Sequence, residues 1–106
     1  MKIRFTLQGL HLLLDSIDQF YFVKNSLHKD DSMNRYFINL RTRLNIEKPP
    51  FKFFTLDLSR GELLMLIDSL DAYSYVKECL QHDNSRHFDV LNMRMYIDTQ
   101  MERGGE

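Results

Sequence analysis

Two short stretches, Asp15-Ser16-Ile17-Asp18 and Asp68-Ser69-Leu70-Asp71, each set two carboxylates three residues apart. On a helix that spacing puts both side chains on one face. Four converging carboxylates, Asp15, Asp18, Asp68 and Asp71, would suit Mg²⁺ or Mn²⁺, which prefer oxygen ligands, and would make the chain a metal-dependent hydrolase. A second reading is architectural. None of the four aspartates has Lys or Arg four residues on, where Gln19, Phe22, Ala72 and Tyr75 stand instead. In an antiparallel helical hairpin turning near residue 30, however, Asp18 faces Arg41, and in a second such hairpin Asp71 faces Arg94. Two structural ion pairs, Asp18–Arg41 and Asp71–Arg94, are therefore expected. The metal site is kept as the alternative, and neither a metal nor a cofactor is assigned.

Other chemistry-bearing groups are sparser. Cys79, His82, Asp83 and His87 include a Cys-x2-His spacing, but structural zinc usually takes four well-spaced Cys or His ligands. A solvated loop is the expectation. No Gly-x-Ser-x-Gly elbow occurs, and the four glycines form no phosphate-cradling loop, so no catalytic residue is assigned. Arg35, Arg41, Arg43 and Lys48, close to Tyr36 and Phe37, form the nucleic-acid candidate, since a helix rich in arginine can lie along phosphates. Against it stand a net charge of −1 and an acidic second half. Residues 1–53 carry nine Lys/Arg against five Asp/Glu, a net of +4, whereas residues 54–106 carry five against ten, a net of −5. Such asymmetry steers association with a charged partner or favours head-to-tail self-contact.

These residues sit in a repeated frame. At a shift of 53 residues Leu10, Asp15, Ser16, Asp18, Val23, Lys24, Leu27, Asp30, Ser32, Asn39 and Arg41 all recur, as Leu63, Asp68, Ser69, Asp71, Val76, Lys77, Leu80, Asp83, Ser85, Asn92 and Arg94. Each copy opens on a strand-like alternation, Ile3-Phe5-Leu7 and Phe54-Leu56-Leu58. A long amphipathic helix follows, with the stripe Leu10, Leu13, Leu14, Ile17, Phe20, Val23, Leu27 in one copy and Leu63, Leu66, Ile67, Leu70, Tyr73, Val76, Leu80 in the other. Ser59-Arg60-Gly61-Glu62 reads as a capping box. Polar breaks at 28–32 and 81–85 precede second helices over about 33–45 and 86–101, and Pro49-Pro50 separates the copies. The expected fold is mostly α with minor β: a tandem duplication of a strand–helix–helix unit, about 2–46 and 51–101, forming a pseudo-twofold four-helix core with a two-stranded antiparallel ribbon. It is read as a single domain, 1–106, with 102–106 a flexible tail.

The copies disagree on the last helix. Phe88, Leu91, Met95 and Tyr96 add an apolar row where the first copy has Arg35, Ile38, Thr42 and Arg43. Either this row fills an asymmetric core or it receives another chain, as Met and aromatic residues often do. The expectation is a small non-enzymatic protein-binding module, with a second copy of the chain among the partners it admits. A DNA- or RNA-binding regulator is the first alternative and the hydrolase the second. No run approaches the roughly 20 apolar residues of a membrane span, and no leader is expected. The lone Cys79 suits a reducing, cytoplasmic setting. A single alanine amid frequent Phe, Tyr, Asn and Asp is a bias associated with phage and plasmid genes. That suggests a phage or mobile-element regulator or inhibitor working in a host cytoplasm.

Overall fold

The structure is a computed structural model and describes residues 1–44 and 53–103. The chain is mostly helical, with four helices and a two-stranded antiparallel sheet. Strand β1 (Lys2–Thr6) runs straight into helix α1 (Leu7–Phe22), which continues as a π-helical turn, Val23–Leu27. Helix α2 (Asn34–Leu44) folds back along α1. Strand β2 (Phe53–Asp57) then leads to α3 (Arg60–Ser74), again extended by a π-helical turn, Tyr75–Leu80, and to α4 (His87–Arg103). Sequence periodicity starts the first helix near Leu10, but it begins at Leu7 because Thr6, the last residue of the strand, also acts as N-cap. The Thr6 hydroxyl accepts from Gly9 N–H at 2.9 Å, so strand passes to helix with no loop between them. On α3 the expected capping box is complete: Ser59 and Glu62 each bond the other's backbone N–H.

The ribbon pairs Lys2 with Asp57 and Phe5 with Phe54, and Leu58 N–H extends it to Met1 O at 2.9 Å. A lone ribbon is marginal in water. This one is held by its inner face, where Ile3, Phe5 and Phe54 are buried in the helical core. The central layer is α1 against α3, with α2 on α1 and α4 on α3. Leu13, Ile17, Leu63, Leu66 and Leu70 are fully buried there, joined by Phe37, Leu40 and Leu44 from α2 and Val90, Ile97 and Met101 from α4. The edge-on stack of Phe20 on Phe37, centroids 4.8 Å apart, belongs to the α1–α2 side. Two serines share this core: Ser16 and Ser69 are buried, and each hydroxyl donates to the carbonyl four residues back, Leu12 O and Met65 O, both at 2.7 Å. The Asp-Ser-x-Asp stretches thus turn serine inward and both aspartates outward.

Both hairpin turns are built alike. The π-helical turns end in wide bonds, Asp30 N–H to Lys24 O and Asp83 N–H to Lys77 O, each 2.7 Å. Lys29 (φ 57°) and His82 (φ 54°) take the left-handed conformation that reverses the chain. Asp30 Oδ1 then accepts from Ser32 N–H at 2.9 Å, and Asp83 Oδ1 from Ser85 N–H at 3.0 Å. The Ser32 contacts hold the Asp30 carboxyl below its usual range, and the Ser85 contacts do the same for Asp83. At the C-terminal end α4 runs through Arg103. Glu102 and Arg103 are therefore helical rather than tail, because buried Met101 anchors the last turn. Residues 104–106, like Lys48 and Pro49-Pro50, lie outside the described residues.

Candidate functional site

The acidic pairs are spread over the outer faces of α1 and α3. Arg41 donates from Nε and Nη2 to the two oxygens of Asp18 at 2.8 and 3.3 Å, and Arg94 reaches Asp71 in the same way at 2.9 and 3.5 Å. The bonds to Asp18 raise the Arg41 guanidinium above its ordinary pKa, and those to Asp71 raise Arg94, which also bonds Asp98 at 3.2 Å. Asp15 lies 3.9 Å from Arg86, and Asp68 is exposed. Among the described residues no three His, Cys, Asp or Glu side chains are placed to hold a metal ion. The four aspartates do not converge, and two of them are held by arginines. Nor do Cys79, His82 and His87 converge: Cys79 is exposed, and His87 Nδ1 turns to Glu78 at 3.0 Å.

The basic set of α2 is largely engaged within the protein. Besides Arg41, Arg43 bonds the Glu62 carboxylate and Asp57 O, tying α2 to the start of α3 and the end of β2. Burial alone would raise the Glu62 carboxyl. The Ser59 N–H and the Arg43 guanidinium outweigh it and hold the group below the usual glutamate range. Arg35 is exposed and makes no ion pair among the described residues, and Lys48 lies outside them.

Helix α4 presents two different surfaces beside its buried edge. Phe88, Leu91 and Met95 recur at helical spacing on its outer side and are 74%, 42% and 59% exposed. Tyr96, expected in the same row, is turned the other way. Its ring meets Phe5 edge-on at 6.2 Å, and its hydroxyl donates to Arg4 O, fastening α4 to β1. Tyr96 follows Met95 by a single position, a turn of about 100° around the helix, which sets it off the row, and only a neighbouring element decides which side is covered.

On the Tyr96 side, β1, the first turns of α1 and α4 enclose a cleft of about 850 Å³. Its walls include Arg4, Phe5, Gly9, Leu12, Phe53, Arg86, Asp89, Met93 and Tyr96. Gly9 keeps the floor thin, since a Cβ there would come within 2.8 Å of Met93 Cε. The Arg4 guanidinium lies 4.1 Å above the Phe53 ring. No spacing in the sequence marks this cleft, because its residues come from β1, β2, α1 and α4, brought together by the ribbon. Among the described residues no helix is long and apolar enough to cross a membrane. Compared with family models, curated proteins and solved structures, the chain matches none.

Proposed function

We propose that this chain is a non-enzymatic protein-binding unit built from two copies of one strand–helix–helix element, and that it docks through the outer side of α4. The observation that supports this reading is the row Phe88, Leu91 and Met95, left open to solvent on a helix whose opposite edge is core. Large apolar side chains at helical spacing supply contact area of the kind that anchors interfaces. The occupant is a different protein presenting an apolar strip flanked by basic residues, since the half of the chain that carries the row has a net charge of −5. A regulator or inhibitor that occludes its target, acting in a cytoplasm, fits such a surface.

The test is affinity capture from the encoding host with the full chain and with a Phe88→Asp/Met95→Asp variant, each checked for an unchanged melting temperature. Proteins retained by the parent and lost from the variant carry the reading; identical captured sets sink it. Light scattering separates a second copy of the chain from a different protein. Nucleic-acid binding is less well supported, because Arg41 and Arg43 are held by Asp18 and Glu62.

A further inference from the structure

We propose that the cleft between β1 and α4 binds a small organic anion, a flat apolar ring carrying a phosphate or a carboxylate. The volume, about 850 Å³, lies within the range of metabolite-sized sites, roughly 300–1,000 Å³. Two guanidinium groups and one carboxylate line it, and Asp15 lies beside Arg86 as well, so the cation that invites an anion is Arg4, which has no carboxylate next to it among the described residues. Arg86 stands 3.9 Å from Asp15 and 3.7 Å from Asp89, near enough for attraction but beyond hydrogen-bonding distance, with its side chain 39% exposed. Its fork of donors is therefore available to a phosphate or carboxylate, whose paired oxygens match that geometry. Arg4 has no carboxylate partner among the described residues, and its guanidinium lies over the Phe53 ring. A planar cation backed by an aromatic ring is a surface on which a second ring stacks. Leu12 and Met93 give that ring an apolar floor. Anion and ring thus have separate, adjacent receptors. The exposed row Phe88, Leu91 and Met95 is not part of the cleft, so this site stands independently of the docking surface.

Isothermal titration of the full chain tests the assignment with four probes: adenosine 5′-monophosphate, indole-3-acetate, adenosine and inorganic phosphate. One or both anionic ring compounds are expected to bind with a Kd below about 1 mM, and adenosine and phosphate at least about tenfold more weakly. Which of the two binds more tightly shows which pairing of ring and anion the cleft prefers. Arg86→Gln and Arg4→Gln should each weaken binding about tenfold or more at unchanged melting temperature, while Phe88→Asp leaves it intact. The proposal is overturned if neither anionic ring compound binds. It is equally overturned if phosphate alone binds as well as they do, or if Arg86→Gln binds them undiminished.

Discussion

The α1–α2 and α3–α4 hairpins share their scaffolding and differ in what they present. Each has a buried serine bonded to the carbonyl four residues back, a π-helical turn, a left-handed reversal, an aspartate that holds the following turn, and an arginine gripping an aspartate across the hairpin. Yet α2 spends Arg41 and Arg43 on partners within the protein and opens Tyr36 and Ile38 to solvent, whereas α4 opens the row Phe88, Leu91 and Met95. Groups that fix a hairpin's geometry are alike in both halves. Groups that face outward are not.

The comparison can be broken most sharply in the core. Leu13 and Leu66 are both fully buried at the α1–α3 layer, and Leu13→Ala and Leu66→Ala should each cost about 2–5 kcal/mol by urea unfolding. A large difference between them would show that one hairpin carries the fold. A smaller effect is expected at the helix starts, where the hairpins differ in kind. Ser59→Ala removes half of a reciprocal box and should cost about 1 kcal/mol, with Thr6→Ala costing no more, because α1 has the single Thr6 cap bond. Acid should reveal the same asymmetry. The Glu62 carboxyl is held below its ordinary value in the folded chain, so its stabilisation is present above the unfolded glutamate pKa and is lost as pH falls through the folded value. Thermal melts taken downward from about pH 5 should show this loss, and Glu62→Gln should lessen it, leaving the part due to the other carboxyls held low, Asp30, Asp57 and Asp83.

The turns provide a matched pair of gains. Lys29→Gly and His82→Gly relieve a side chain held at positive φ, and each should stabilise by up to about 1 kcal/mol. Unequal gains would mean that the two reversals are not equivalent. The smallest expected effect is at the ion pairs. Asp18→Asn and Asp71→Asn remove exposed contacts and should each cost about 0–1 kcal/mol, with double-mutant cycles against Arg41 and Arg94 isolating the pairwise part.

Much of this scaffold is legible in the sequence because it is periodic or local. The stripes from Leu10 and Leu63, the Ser59–Glu62 box and the strand alternations each depend on neighbours within a few residues. Asp18 can be set against Arg41, and Asp71 against Arg94, because an antiparallel hairpin makes register a matter of counting. The π-helical turns were not legible, since Val23–Leu27 and Tyr75–Leu80 continue an ordinary helical stripe. Thr6 reads as strand but caps α1, because a side-chain oxygen three residues before Gly9 N–H can do either.

By itself, then, the sequence determined the helices, the ribbon strands and the chemistry available on each face, because hydrophobic period and capping act over short spans. Only the tertiary structure decided that Tyr96 turns to Phe5 and Arg4 while Phe88 and Met95 stay exposed, and that Arg4, Phe53 and Arg86 share one cleft. The physical reason is that the side of a helix that is covered depends on which distant element packs against it. Here that element is β1, held in place by its pairing with a strand some 50 residues further along the chain.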